Sequence, residues 1–133
     1  MAGPDATMSK RGRILVAEDE PHIRRVLATL LQSADFEVVE VVDGDQAHDL
    51  LAGPTPFDFA VMDIMMPGRT GIQVLKEIIV LDHRADLPVL ILTAKGQDTD
   101  RDEAFASGAV DFMTKPFSPK RLLSRINEIL ESP

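Results

Sequence analysis

The sequence predicts an α/β protein. Five βα units are expected to build a three-layer sandwich, with a five-stranded parallel sheet of strand order 2-1-3-4-5 between two layers of helices. Short apolar runs alternate with amphipathic helical patterns, and right-handed crossovers then place helices on both faces of the sheet. Polar residues end four of the apolar runs. The order 2-1-3-4-5 is favoured because strands 1 and 3 become neighbours at the switch point, where such sheets bind ligands.

Five stretches have the properties of strands, since each is short, largely apolar and bounded by turn signals. They are Ile14–Ala17, Glu37–Val42, Phe59–Met62, Leu87–Leu92 and Val110–Thr114. The second stretch carries a charged residue, Glu40, which is tolerated near the edge of a sheet. Pro88 introduces the fourth stretch, and Lys115-Pro116 closes the fifth.

The segments between the strands carry apolar residues at helical spacing. These stripes are Ile23, Val26, Leu27, Leu30 and Leu31 in the first helix, Ala47, Leu50 and Leu51 in the second, Ile72, Leu75, Ile78 and Ile79 in the third, and Leu122, Leu123, Ile126, Ile129 and Leu130 in the fifth. Asp43-Gly44 is a turn signal before the second helix. The fourth helix, Gln97–Ser107, has little to bury, so it costs little to shift and is the predicted moving part.

The composition is that of one soluble globular domain. The chain has 133 residues, 44% of them apolar, and no cysteine, which excludes disulfides and cysteine metal sites. A net charge of −8 disfavours contact with DNA or anionic lipid, and no apolar run approaches the roughly 20 residues of a membrane span. We therefore expect a cytoplasmic protein with no direct nucleic-acid or membrane partner, a disordered leader at 1–12 and a single domain at 13–131.

Five polar residues lie at the C-terminal ends of four predicted strands: Glu18 and Asp19, Asp63, Thr93 and Lys115. These ends meet at one edge of a parallel sheet, so the side chains are expected to share one pocket. Three carboxylates suit Mg²⁺, which prefers hard oxygen ligands. With a cation bound, Asp63 is a usable nucleophile toward an activated phosphoryl group. Lys115 offers a mobile positive charge, and Thr93 offers a hydroxyl for a phosphoryl oxygen.

Four motifs, in this order and spacing, are shared with a known family: VAEDE (16–20), VMDIMMPGRTG (61–71), LTA (92–94) and TKPF (114–117). Through them the chain resembles, from Arg13 to Leu130, the receiver (CheY-like) domain of two-component response regulators. That domain has a flavodoxin-like (βα)5 fold. The stretch from Ala94 to Leu130 is most similar to receivers of the OmpR/PhoB type.

The resemblance implies a role for each residue of the pocket. Asp63 is then the phospho-acceptor. Glu18 and Asp19 are the acid pair that binds Mg²⁺, or Mn²⁺ as a substitute, together with Asp63 and the backbone carbonyl of Met65. Lys115 pairs with the phosphoryl group, which comes from a sensor histidine kinase or a phosphotransfer protein. Such a domain is a signalling module rather than an enzyme, since it catalyses only its own phosphorylation and dephosphorylation.

The resemblance also implies a switch. Thr93 and Phe112 match the switch hydroxyl and the switch aromatic, and the peptide bond between Lys115 and Pro116 is cis in the family. Phosphorylation draws the hydroxyl inward and the ring follows. The surface of the fourth helix, fifth strand and fifth helix then changes and controls an output partner or domain. The chain is either a stand-alone receiver or a piece excised from a longer regulator.

Receivers of the OmpR/PhoB type form homodimers through that same surface, which makes a homodimer a possible state of this chain. Asp111 and Arg125 match one cross-subunit ion pair of that dimer, and Arg101 matches the cation of another. The acidic partner expected for Arg101 on the last helix is replaced by Arg121, and two facing arginines repel each other.

Three other interpretations are open at the level of the sequence. A haloacid-dehalogenase-like phosphatase also uses a strand-end Asp with Mg²⁺, but it needs a second Asp two residues later, where this chain has Met65. A flavin-binding module needs a phosphate loop after the first strand, where this chain has acids that repel phosphate. A degenerate receiver would serve only as a docking module, and the intact set of pocket residues argues against it.

Overall fold

The computed structural model describes residues 11–94 and 98–131. The predicted three-layer architecture is confirmed, with one parallel sheet of order β2-β1-β3-β4-β5. Most of the expected leader, residues 1–10, lies outside the described residues, so its predicted disorder stays a prediction. Every helix in the described ranges is too short or too polar to span a membrane.

Strands and helices alternate as the apolar pattern predicts. The strands are β1 Arg13–Ala17, β2 Glu37–Val41, β3 Phe59–Asp63, β4 Val89–Thr93 and β5 Asp111–Thr114. The helices are α1 Pro21–Ser33, α2 Gly44–Ala52, α3 Gly71–Ile78, α4 Asp98–Ala106 and α5 Pro119–Glu131. A turn of 3-10 helix at Asp82–Arg84, which no pattern predicted, lies between α3 and β4.

The core consists of two apolar layers, one on each face of the sheet. On one face, α2 and α3 cover alternate strand residues such as Leu15, Ala60 and Ile91. On the other face, α1 and α5 cover the intervening residues, such as Val16 and Val61. This alternation follows the two-residue period of strands. Because β3 and β4 are buried at every position, their sequences are continuous apolar runs rather than alternating ones.

Helix α4 is joined to the rest of the domain more weakly than the other helices. Within residues 99–106, only Ala104 is buried, and the neighbouring Phe105 is 45% exposed. An exposed ion pair connects α4 to α3, with Lys76 Nζ 3.0 Å from Glu103 Oε2. Exposed pairs contribute little stability, so the contacts of α4 agree with the prediction that it is inexpensive to move.

Arg84 is a buried cation that the sequence did not predict. Arg84 is only 3% exposed. Its guanidinium donates hydrogen bonds to the carbonyl oxygens of Leu51 (2.8 Å), Gly53 (3.1 Å) and Thr55. Burial lowers the pKa of this guanidinium. The three carbonyls lie at and after the C-terminal end of α2, where a helix lacks its own donors. Arg84 therefore fixes the exit of α2.

Replacing Arg84 with methionine should lower the free energy of unfolding by about 2 kcal/mol, because the hydrogen bonds from this buried cation to three backbone carbonyl oxygens are lost. Urea denaturation followed by circular dichroism measures this. The exposed Arg25 gives a matched control, since Arg25→Met should change stability by less than about 0.5 kcal/mol. Equal effects of the two substitutions would contradict the role assigned to Arg84.

Candidate functional site

The residues predicted to share a pocket meet at the C-terminal edge of the sheet. Glu18 and Asp19 follow β1, Asp63 ends β3, Thr93 ends β4 and Lys115 follows β5. Each of the three acids has one carboxylate oxygen that lies within 4.8 Å of a carboxylate oxygen of the other two. The parallel register brings these ends together because neighbouring strands finish at the same level.

Lys115 holds two of the carboxylates at once. Its Nζ lies 2.8 Å from Glu18 Oε1 and 2.7 Å from Asp63 Oδ2. Burial alone would lower the pKa of Lys115, but the hydrogen bonds and negative charges of Asp63 and Glu18 outweigh burial and raise the pKa. Lys115 is therefore a firmly charged ammonium at the floor of the pocket.

Glu18, one of the predicted Mg²⁺ ligands, is fully buried. Burial raises its pKa, and the charge of Asp63 raises it further, while Lys115 and the backbone act in the opposite direction. Its Oε2 accepts a hydrogen bond from the backbone N–H of Glu20 at 3.0 Å. The carboxylate is therefore fixed in place before any ligand binds.

Asp63 has one carboxylate oxygen that lacks a partner. Oδ2 is bonded to Lys115, whereas the buried Oδ1 has no hydrogen-bond partner among the described residues. A buried acceptor without a donor is costly and uncommon. A divalent cation would satisfy Oδ1 and offset the excess of three carboxylates over one ammonium. The donor set therefore fits Mg²⁺.

The loop after β3, which carries Met65, is clamped against α2 and α3. Gly44 N–H donates to Pro67 O at 3.0 Å, and a side chain at Gly44 would meet Arg69 O at 1.7 Å. Arg69 in turn contacts Asp45 at 2.7 Å and, on α3, Glu77 at 3.0 Å. The sequence showed Gly44 only as part of a turn signal, whereas it is the first residue of α2, at a position where only glycine fits.

Met65 lies two residues after Asp63 with its side chain exposed, and its carbonyl remains a predicted ligand. At the other end of the loop, Gly71 allows a second close approach, because a Cβ there would lie 2.3 Å from Asp63 O. Its N–H donates to Ile64 O at 3.0 Å. Gly71 therefore supports the backbone on which the predicted acceptor is carried.

The two predicted switch residues lie in different surroundings. Thr93 is buried, with 4% exposure. Phe112 is partly buried and packs against the core layer under α2 and α3. The peptide bond between Lys115 and Pro116 is cis, as the resemblance implied. The structure thus contains the elements of the predicted switch, and their movement stays a prediction.

The residues predicted for a dimer face already lie next to opposite charges within the chain. Asp111 and Arg125 contact each other within the chain, with Nε 2.6 Å from Oδ2, and this contact raises the pKa of Arg125. Arg101 is exposed and lies 4.0 Å from its neighbour Asp102. A cross-subunit pair between Asp111 and Arg125 would therefore have to replace a pair that already exists.

The raised pKa of Glu18 predicts a pH-dependent stability of the metal-free protein. The folded state binds this proton more tightly than the unfolded state, so the free energy of unfolding falls as pH rises from 4.5, the ordinary value, through the raised pKa. Glu18→Gln cannot ionise and should be more stable than wild type by about 1 kcal/mol near neutral pH. Urea denaturation in a chelator at about pH 5 and about pH 8 tests this sign.

The exposed Asp86 provides the control for Glu18→Gln, because Asp86→Asn removes a charge that precedes the start of β4, whereas the pocket lies at the C-terminal ends of the strands. Its stability should parallel that of wild type at both pH values. Added Mg²⁺ should stabilise wild type and Asp86→Asn by mass action, and Glu18→Gln much less. A Glu18→Gln variant less stable than wild type near neutral pH would refute this interpretation.

Comparison with known proteins agrees with this geometry. A family model for the response regulator receiver domain matches residues 14–127. The chain is 42% identical over 118 residues to the phosphate regulon transcriptional regulatory protein PhoB of Escherichia coli (strain K12), covering 89% of this chain and 51% of that protein. It is 38% identical over 117 residues to the transcriptional regulatory protein SrrA of Staphylococcus aureus (strain NCTC 8325 / PS 47), covering 88% and 47%. The chain thus spans about half the length of these curated relatives.

Solved structures give the same result. The Francisella response regulator 1452 receiver domain is 31% identical, with a TM-score of 0.81 over 91% of this chain and 98% of that one. The receiver domain of sensor histidine kinase PA1611 from Pseudomonas aeruginosa PAO1, with a magnesium ion coordinated in its active-site cleft, is 28% identical, with a TM-score of 0.84 over 91% and 98%. The resemblance inferred from the four motifs is confirmed: the chain belongs to the response regulator receiver domains of two-component systems.

Proposed function

We propose that this domain accepts a phosphoryl group on Asp63, in a Mg²⁺-dependent reaction, from a sensor histidine kinase or a phosphotransfer protein. The observation that carries the proposal is the unequal environment of the Asp63 carboxylate. One oxygen is held by Lys115 at 2.7 Å, and the other is buried without a partner among the described residues, beside Glu18 and Asp19. Such a group is held ready for a cation and an incoming electrophile.

The transfer requires little covalent chemistry of the protein. A carboxylate oxygen of Asp63 forms a bond to phosphorus while the P–N bond to the donor imidazole breaks, and the imidazole takes up a proton. Bound Mg²⁺, or Mn²⁺ in its place, would neutralise charge on the acids and on the transferring oxygens. Glu18, Asp19, Asp63 and the Met65 carbonyl are the proposed ligands.

Lys115 and Thr93 complete the proposed site. Lys115 is already charged and within reach of Asp63 Oδ2, so it can pair with a phosphoryl oxygen attached there. Thr93 offers its hydroxyl at the adjacent strand end. The return step is hydrolysis: water attacks phosphorus, the bond from phosphorus to the Asp63 oxygen breaks, and inorganic phosphate leaves. We propose that the domain catalyses only these changes in itself.

The output proposed for the phosphorylated domain is a change in the surface of α4, β5 and α5. Thr93 and Phe112 would couple the pocket to this surface, with a coupling free energy of about 1–3 kcal/mol, as is usual between two sites. Within residues 99–106, helix α4 buries only Ala104, which supports a change of this surface that includes α4. An output partner or domain, or a homodimer that uses Arg101, Asp111 and Arg125, would read the altered surface.

We also propose the wider setting. The receiver comprises residues 13–131 and works in the cytoplasm. Its relatives PhoB and SrrA are transcriptional regulatory proteins by name. This domain itself would not contact nucleic acid or membrane, since its net charge is −8 and phosphate contacts require clustered cations.

Intact-protein mass after incubation with acetyl phosphate tests the phospho-acceptor directly. Wild type should gain the mass of one phosphoryl group in the presence of Mg²⁺ and none in a chelator. Asp63→Asn should gain none, because an amide is a poor nucleophile, whereas Asp86→Asn, an exposed aspartate changed in the same way, should behave as wild type. Folded wild type without an adduct in Mg²⁺ would favour the docking-module alternative, and an adduct that persists in Asp63→Asn would exclude Asp63 as the acceptor.

A further inference from the structure

Arg24 on α1 contacts the backbone of the acid pair, and none of the chemistry proposed above uses it. Its Nη1 donates a hydrogen bond to the carbonyl oxygen of Glu18 at 2.9 Å. Its Nε lies 3.6 Å from Glu40 Oε1 on β2. The side chain is only 20% exposed, so this long cation lies along the domain instead of extending into solvent. Arg24 therefore links β2, through Glu40, to the turn that carries Glu18 and Asp19.

The contact fixes a peptide group rather than a side chain. The N–H of Glu18 donates to Val41 O at 3.1 Å, and its C=O accepts from Arg24, so both backbone polar groups of Glu18 are held. Since the peptide unit is planar, holding the Glu18 carbonyl also sets the direction in which the Asp19 N–H and Cα lie.

Asp19 depends on this peptide more than Glu18 does. The Glu18 carboxylate is held by Lys115 and by the N–H of Glu20. The Asp19 side chain is exposed and makes no hydrogen bond or ion pair within the part of the chain that the structure describes. Its carboxylate can stay near those of Glu18 and Asp63 only through the position of its own backbone. Groups that orient metal ligands in this way commonly change affinity by 10- to 100-fold when they are removed.

We propose that Arg24 is a positioning residue for divalent-cation binding, which holds the peptide between Glu18 and Asp19 so that both carboxylates face one site. This inference rests on the proposed Mg²⁺ site. Arg24 does not touch the cation. It acts through the Glu18 carbonyl, and Glu40 keeps its guanidinium in place.

Whether Mg²⁺ binding weakens or tightens when Arg24 is neutralised distinguishes positioning of the ligands from simple electrostatics. A guanidinium near a cation site repels the cation, so removing its charge should tighten Mg²⁺ binding if Coulomb interaction were its main effect. Removing a group that orients the ligands should weaken binding. Loss of affinity on neutralising Arg24 is therefore a result that charge alone does not give.

The test is calorimetric titration of the whole chain with MgCl₂, with stability measured separately by urea denaturation in a chelator. Arg24→Met should bind Mg²⁺ about tenfold more weakly than wild type. Arg24→Lys keeps a charged donor of similar reach and should recover most of that loss. Arg25→Met removes the adjacent, exposed arginine and should leave the affinity within about twofold.

A second readout does not depend on metal. In a chelator, the carbonyl carbon resonance of Glu18 should move upfield in Arg24→Met and stay in place in Arg25→Met, because only the former loses a hydrogen bond to that oxygen. If Arg24→Met does not fold, Arg24→Gln replaces it, since its amide is too short to reach the Glu18 carbonyl and the same loss of affinity is expected.

Affinity in folded Arg24→Met equal to or tighter than that of wild type would overturn the inference, and so would an equal loss in Arg25→Met. In both cases the proposed function would stand, because wild type would still bind Mg²⁺. Wild type that binds no Mg²⁺ would overturn the metal site itself and the inference with it. The two kinds of failure are therefore distinguishable in one set of titrations.

Discussion

The ion pairs that Lys115 makes with Glu18 and Asp63 are the constraint on which the site depends. They connect the ends of three strands, β1, β3 and β5, across the edge of the sheet. Two buried carboxylates lose hydration and repel each other, which is expensive unless a cation lies between them. One ammonium within 2.8 Å of both reduces that cost but leaves a net negative pocket. The same arrangement that allows the acids to be buried also makes the pocket favourable for further positive charge.

The sheet and the five pocket residues could be predicted because both follow from the geometry of buried parallel strands. Such strands appear as short apolar runs, and β3 and β4 are buried at all positions. Parallel strands also finish at one edge, so polar residues placed after them, such as Asp63 and Lys115, must come together. No contact had to be known in advance for that inference. The family motifs then added the roles, which spacing alone does not supply.

The supporting contacts could not be predicted in this way, because they end on backbone groups. Arg84 binds carbonyls after α2, Arg24 binds the carbonyl of Glu18, and Gly44 lies against the backbone at Arg69. Every residue has a carbonyl, so the sequence does not show which carbonyl accepts the hydrogen bond. The sequence around an arginine also does not show whether its side chain is buried or exposed to solvent. The pairing of Asp111 with Arg125 joins two side chains, and it could not be predicted for a different reason: pattern matching gives the two partners without saying in which subunit they meet.

Helix α4 buries little apolar surface, and this has an evolutionary consequence. Within residues 99–106 it commits one small side chain, Ala104, to the core. Substitutions elsewhere on this helix change little packed volume, and surface substitutions usually alter stability by less than about 0.5 kcal/mol. The helix can therefore acquire new shapes and charges without endangering folding, whereas β3 cannot. A lineage built on this scaffold can diversify the recipient of the signal while the pocket that receives it stays the same.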